Sequence, residues 1–431
     1  MLKRKIAGLL TMTMVLASLA GCGQSSVEQS SSGDTSSSSQ GGSEIQLSFP
    51  CIWVGNDSKA EVFGQMVTGF NEEYEGKYQI NIEEQTDYDA YRDKIRTQIS
   101  TGDAPDIFTV DSKSDLELYA SSGKLMDLTE FLSDEEISSR FSEGEIEKGQ
   151  IDGVNYAFPY ESAVIPIMFN QRLLDQVGVT EVPTSFEDLW DVCEALKAAD
   201  IIPVCQMTND NAIFSVYWYS YLLAALGGED VYANGLDDPA FEQAAELMVK
   251  MFDYTSSDAV GADATVANGH FFNERAAIYA NGTWILGRIK NEGVEGLYDN
   301  ITVSPGLSIN GENGGAYLRS TQAYFVAGKQ DDPDKAEAVQ AFFEYITDPD
   351  KVAELADSSG ALFSIEIDSS KLSDPLQAEI VQQSNDAAFT IDYFSAAMPT
   401  TVVNAFPAAL ESLVLGDITP AEFVEQLKAA E

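Results

Sequence analysis

The chemistry open to this chain is bounded first by the residues it lacks. A single histidine, His270, occurs in 431 residues. There are four cysteines, Cys22, Cys51, Cys193 and Cys205, and no two stand at C-x-x-C spacing. Zinc sites draw on clustered Cys and His ligands, and acyl-transfer triads need a positioned histidine. We therefore expect no metal, no cofactor and no histidine-dependent nucleophile. Neither a phosphate-cradling Gly-rich motif nor a Gly-x-Ser-x-Gly elbow occurs. Asp331-Asp332-Pro333-Asp334 lacks the glycine and closing glutamate of a calcium loop and reads as an acidic helix start.

Recognition chemistry remains. Trp53-Val54-Gly55-Asn56-Asp57 places an aromatic ring, an amide and a carboxylate within one short stretch. Asp111 likewise follows an apolar run. A polyhydroxylated ligand needs this set, because its C–H faces pack on rings and its hydroxyls need clustered donors and acceptors. A carboxylate brings two oxygens and charge-assisted hydrogen bonds. Each residue also has a structural alternative. Trp53 continues the apolar face of its run and suits a core, while Asp57 and Asp111 suit turns or helix caps.

The elements that must position these residues follow from periodicity. Ile45, Leu47, Phe49, Cys51 and Trp53 alternate as in a strand. Val62, Phe63, Met66, Val67, Phe70 and Tyr74 recur at helical spacing. Tyr78, Ile80 and Ile82 predict a second strand, and Tyr91, Ile95 and Ile99 a second helix. Gly102-Asp103-Ala104-Pro105 breaks that helix before a buried strand over 106–110. The order β-α-β-α-β predicts a mostly parallel, doubly wound α/β sheet. Such sheets bind ligands beyond the carboxyl ends of their strands, which is where loops 53–59 and 111–114 fall.

Further along, Thr184 and Glu187 stand at capping-box spacing ahead of a helix to about Ala198. Asp238-Pro239, Asp332-Pro333 and Thr419-Pro420 each open a helix with proline at its first position. The aromatic run Ile213–Tyr221 continues into Leu222, Leu223 and Leu226, so most of it is helix core. One or two of its rings, Trp218 among them, are candidates to face a ligand. Asn209-Asp210-Asn211 ahead of it offers either hydroxyl contacts or a helix cap.

Bulk composition narrows the setting. The chain has 70 acidic and 24 basic residues and a net charge of -46. Such a surface repels phosphate backbones and anionic lipid, which excludes nucleic acid as a partner. Lys3, Arg4 and Lys5 precede the apolar stretch Ile6–Ala20. That stretch is shorter than the about 20 residues a spanning helix needs, and its layout predicts a signal peptide over 1–21. Leu19-Ala20-Gly21-Cys22 resembles the lipobox of bacterial lipoproteins. The resemblance implies cleavage before Cys22 and lipidation of its sulfur, with two acyl chains giving a stable anchor. Residues 22–43 are the lipidated Cys22 and a Ser/Gly-rich disordered tether with a reach of roughly 25 Å. Cys51, Cys193 and Cys205 then remain, which permits at most one internal disulfide. Cys193 and Cys205 are nearest in sequence, but spacing does not decide whether they pair.

Five motifs in order carry a family resemblance: Trp53 to Asp57; Gly102-Asp103-Ala104-Pro105-Asp106-Ile107; Tyr156-Ala157-Phe158-Pro159-Tyr160 through Phe169-Asn170; Phe272-Asn273-Glu274-Arg275-Ala276-Ala277-Ile278-Tyr279 with Asn281-Gly282-Thr283-Trp284; and Leu413 to Glu422. Together they resemble the extracellular solute-binding proteins of ABC importers, in the maltose-binding-protein-like, carbohydrate-binding class. The resemblance implies two α/β lobes joined by a hinge of three crossing segments, with the ligand in the cleft between them. By analogy, one lobe takes 44–157 plus 317–358 and the other 158–316 plus 359–431. Trp284 matches a tryptophan that stacks on a sugar ring in the family, with scaffold packing as the alternative. Glu161 matches a carboxylate that meets the ligand, with a surface role as the alternative. Tyr317 and Arg319 lie near the second crossing segment and are further ligand-binding candidates.

The implied function is non-catalytic. A monomer held at the outer face of the membrane by its lipid alone captures a sugar or oligosaccharide and passes it to ABC permease subunits. Two rival readings stand beside it. The same fold could hold a peptide, polyamine or glycerol phosphate. A secreted glycoside hydrolase would need two carboxylates across a scissile bond, and no signature marks such a pair.

Overall fold

A computed structural model describes residues 44–55, 57–142 and 144–431. Cys22, the tether, the signal segment and Asn56 therefore lie outside the described residues. The strands in chain order are β1 (Ile45–Cys51), β2 (Tyr78–Glu84), β3 (Ile107–Val110), β4 (Gln150–Ile151), β5 (Val154–Asn155), β6 (Ala157–Ile165), β7 (Ile167–Asn170), β8 (Ile202–Val204), β9 (Ala276–Ala280), β10 (Ile301–Ser304), β11 (Ala316–Ala327), β12 (Leu362–Phe363) and β13 (Phe389–Ile391). Helices alternate with them, as the two hydrophobic periods predict.

The first β-α-β unit forms as expected. Helix Ala60–Glu73 buries Phe63, Met66, Val67 and Phe70, and β1 pairs parallel with β2. Helix Tyr88–Thr101 buries Tyr91, Ile95 and Ile99. It ends at Gly102, whose left-handed φ of 85° suits glycine. Asp106 then ties β3 to β1 by side chain: its Oδ2 accepts from the Ser48 backbone N–H at 2.8 Å and the Ser48 hydroxyl at 3.0 Å. Lys335 meets its other oxygen at 2.6 Å.

The α/β class holds, but the sheets are mixed rather than mostly parallel. The long strand β11 runs antiparallel to both β3 and β6, and β7 runs antiparallel to β9 and β10. Parallel pairing is kept at β1–β2, β8–β9 and β11–β13. The cause is a return of the chain: β11 arrives from far downstream and inserts between β3 and β6 in the opposite sense. A mixed sheet of this kind is common in large α/β folds.

Two long strands organise the molecule. β6 pairs with β11 from Leu318–Ile165 to Val326–Ala157, and β7 follows β6 directly into the sheet β10-β7-β9-β8. β3 takes one end of β11 and β13 the other. The pair thus runs from one sheet region toward the next. In its middle the register shifts between Thr321, Ala323 and Tyr324. A bulge re-aims the extra side chain, here Gln322.

Caps largely follow the sequence. Asp238, Asp332 and Thr419 cap helices with proline next, and Thr419 and Glu422 complete a capping box. The helix Phe186–Ala198 is the exception. Its cap is Ser185, whose hydroxyl accepts from the Asp188 N–H, one residue after the predicted Thr184 and Glu187 pair.

Candidate functional site

The loop after β1 turns sharply at Gly55, with φ 65°. Asp57 Oδ1 accepts from the Lys59 backbone N–H at 2.9 Å and sits 3.3 Å from Lys59 Nζ. The same ammonium donates to Glu161 Oε1 at 3.1 Å and lies 5.5 Å from the centre of the Trp53 ring. Lys59 is thus a nearly buried cation that gathers three of the predicted residues around it. Burial pushes the Glu161 carboxyl above its usual range, and Lys59 works against that rise. Asp57 therefore fills its predicted turn role while also lining a cavity.

Trp53 packs mainly as core. It is 2% exposed, meets Phe63 edge-on at 4.9 Å and stacks on Tyr160 at 5.8 Å. Part of it still borders the cavity shared with Asp57 and Glu161.

Trp284 has the opposite environment. It is 50% exposed on the short turn Thr283–Ile285 after β9. Asn281 orders the approach: its Oδ1 accepts from the Gly282 N–H at 2.8 Å, and its amide donates to the Tyr279 hydroxyl. Gly282 has an ordinary φ of -72°. It is needed for space instead, because a Cβ there would stand 2.1 Å from a Trp284 ring carbon. The ring therefore rests on the glycine backbone.

Three cavities meet around these side chains. The first, ≈ 560 Å³, is walled by Lys59, Glu161, Trp284, Arg288, Gln322 and Asp374, among others. The second, ≈ 530 Å³, includes Trp53, Asp57, Lys59, Tyr88, Glu161 and Gln322. The third, ≈ 410 Å³, includes Asn211, Phe214, Tyr217, Trp284, Gln322 and Tyr393. Gln322 borders all three, and its amide donates to the Tyr393 hydroxyl at 3.1 Å. The cations of this cleft are already matched. Lys59 pairs with Asp57 and Glu161, Arg288 forks onto Glu292 with two 2.8 Å bonds, and Lys290 meets Asp374 at 2.6 Å.

Other predicted residues are placed elsewhere. Trp218 is fully buried: the helix Ile213–Gly227 is apolar all round, and its cavity face carries Phe214 and Tyr217 instead. Tyr317 is buried with its hydroxyl donating to Gln383 at 3.0 Å. Arg319 is buried and donates to the Phe363 carbonyl at 3.0 Å, with Glu145 at 3.9 Å. Burial raises the Glu145 carboxyl, but Arg319 and Lys148 pull it below its usual value. These two side chains hold the scaffold under β11. Asn209 is exposed outside the cavities, and Asn211, two residues on, takes the lining position. Asp111 is committed to an ion pair with Arg92.

Lys59, Gln322, Tyr88 and Tyr393 were not singled out from sequence. Lys59 closes the loop 53–59, so its position was visible though its role was not. Cys51, Cys193 and Cys205 are free and buried, with burial raising the Cys51 thiol to about 12. His270 Nε2 lies 2.9 Å from Asp258, away from the cleft. Among the described residues no group of three or more potential ligands could hold a metal, and no helix is long and apolar enough to cross a membrane.

A cleft of paired charges beside an accessible ring is suited to holding a solute. The chain belongs to the bacterial extracellular solute-binding protein family, whose profile matches residues 65–383. It is similar to the diacetylchitobiose binding protein DasA of Streptomyces coelicolor, 22% identical over 282 residues, covering 63% of this chain and 61% of that protein. It is also similar to a maltotriose-binding protein of Pyrococcus abyssi, 24% identical over 213 residues, covering 47% and 42%. The matched part thus spans only about half the length of these relatives. A solved chitin oligosaccharide binding protein shares the fold, with a TM-score of 0.68 at 21% identity over 90% of this chain and 98% of its own.

Proposed function

We propose that this protein captures a sugar or short oligosaccharide in the cleft and delivers it to the permease of an ABC importer. The observation that carries the reading is Trp284: a large ring, half exposed, set on Gly282 between two cavities. Sugar C–H faces pack on such a ring. The paired state of Lys59, Arg288 and Lys290 favours a neutral ligand over a phosphate, because an anionic ligand would have to draw these cations from their present partners. The sugar ligands named for the two relatives support the same class.

The lobes we assign are 44–157 with 317–358, and 158–316 with 359–431. The passage of β6 directly into β7 of the next sheet supports a crossing within β6, a few residues past the first border, since Phe158 and Tyr160 still pack against Trp53 and Phe325. A ligand touching both the Lys59 wall and the Trp284 wall favours the closed form by the contacts it makes only there. No bond is made or broken. The match to a solute-binding family supports binding without chemistry. Lipidation at Cys22 keeps the monomeric trap beside its permease at the outer face of the membrane.

Calorimetry against neutral glycans, peptides, polyamines and glycerol phosphate tests the proposal. The expected result is binding by a glycan that is recovered intact. Binding by a non-sugar solute alone, or release of shorter sugars, contradicts it.

A further inference from the structure

A second exposed aromatic lies on the far side of the cleft. Tyr88 is 39% exposed and lines the second cavity with Trp53, Asp57 and Thr86. Its ring is backed: the Arg92 guanidinium lies 4.7 Å from the ring centre, and Asp111 holds Arg92 by an ion pair. One side of the ring is thus covered by a fixed cation while the residue remains open to the cavity. Trp284 is backed in the same sense by Gly282. Trp284 lines the first and third cavities but not the second, so the two rings serve different parts of the cleft. The first and second cavities share Lys59, Glu161 and Gln322 in their walls. Each, at ≈ 560 and ≈ 530 Å³, already falls in the roughly 300–1,000 Å³ range of a pocket for one small ligand.

Resting on the sugar-binding reading above, we propose that Tyr88 is a second stacking platform that makes the site selective for oligosaccharides over single sugars. One ring of the ligand lies on Trp284. The chain passes the Lys59–Glu161–Gln322 junction, where buried polar groups meet its hydroxyls. A later ring lies on Tyr88. Asp111 and Arg92 act indirectly, by holding the Tyr88 ring in place.

The test is calorimetry with glucan, galactan, mannan, xylan and chitin series of one to five rings. It is run on the wild type, Tyr88→Ala, Tyr88→Phe and Trp284→Ala, each checked for folding by circular dichroism. In the wild type, affinity should climb with ring number within the series that binds. The ratio of three-ring to one-ring affinity should shrink about tenfold in Tyr88→Ala, the size expected for loss of one aromatic stack. Tyr88→Phe should keep the ratio. Trp284→Ala should weaken every length alike. Affinity independent of length, or a ratio unchanged in Tyr88→Ala, overturns the platform while leaving sugar binding intact. A Tyr88→Phe ratio as low as that of Tyr88→Ala also overturns it, since a hydroxyl and not the ring would then be responsible. Failure of every glycan to bind any of the four proteins overturns both readings.

Discussion

The walls around Trp53 and Trp284 each contain a tryptophan at a strand end beside the same cleft, yet they solve opposite problems. Trp53 is 2% exposed, clasped by Phe63, Tyr160 and Phe325, and it carries Lys59 above its ring. Trp284 is 50% exposed and supported mainly by a glycine beneath it. The first wall invests its aromatic in rigidity so that a nearly buried ammonium can hold two carboxylates in place. The second leaves its aromatic bare so that a ligand can cover it. The lesson is that residue type and loop position do not assign a role. The role follows from what already occupies the faces of the ring.

The difference can be broken at either wall. The largest effect should come from Trp53→Ala, which empties part of the aromatic core and should cost about 3–5 kcal/mol of stability in chemical denaturation. Lys59→Met should come next. It strands the Glu161 and Asp57 carboxylates without their shared cation and should cost about 3 kcal/mol by the same measurement. Sugar affinity should fall with it, because the carboxylates lose their fixed positions. Gly282→Ala should be mildest. The backbone angle tolerates alanine, so stability should change by less than about 1 kcal/mol while the Trp284 ring is displaced. Titration with the cognate sugar should then show affinity about fivefold lower.

How far the sequence reaches varies with the physics involved. The first strands and helices were legible because alternation and helical stripes report burial directly, as with Phe63, Met66, Val67 and Phe70. Trp284 and Glu161 were legible as positions within motifs, and both line the cleft. Gln322 was not. Its exposure to all three cavities comes from a register shift between β11 and β6, strands remote in sequence, and nothing local encodes it. Trp218 failed for the reverse reason. In a helix apolar on every face, periodicity cannot tell the cavity side from the core side. Tyr317 and Arg319 lay close to the crossing, but the buried polar partners that claim them come from distant segments. The antiparallel insertion of β11 likewise depends on a long return that a local β-α-β pattern does not reveal.

The central claim is that ligand reaches Trp284 and leaves Trp53 as scaffold, and tryptophan emission tests it most directly. Saturating the wild type with the cognate sugar should shift emission to the blue, because the half-exposed ring becomes covered. The shift should persist in Trp53→Phe and vanish in Trp284→Phe. A sugar-induced shift that survives in Trp284→Phe and is lost in Trp53→Phe would contradict the account.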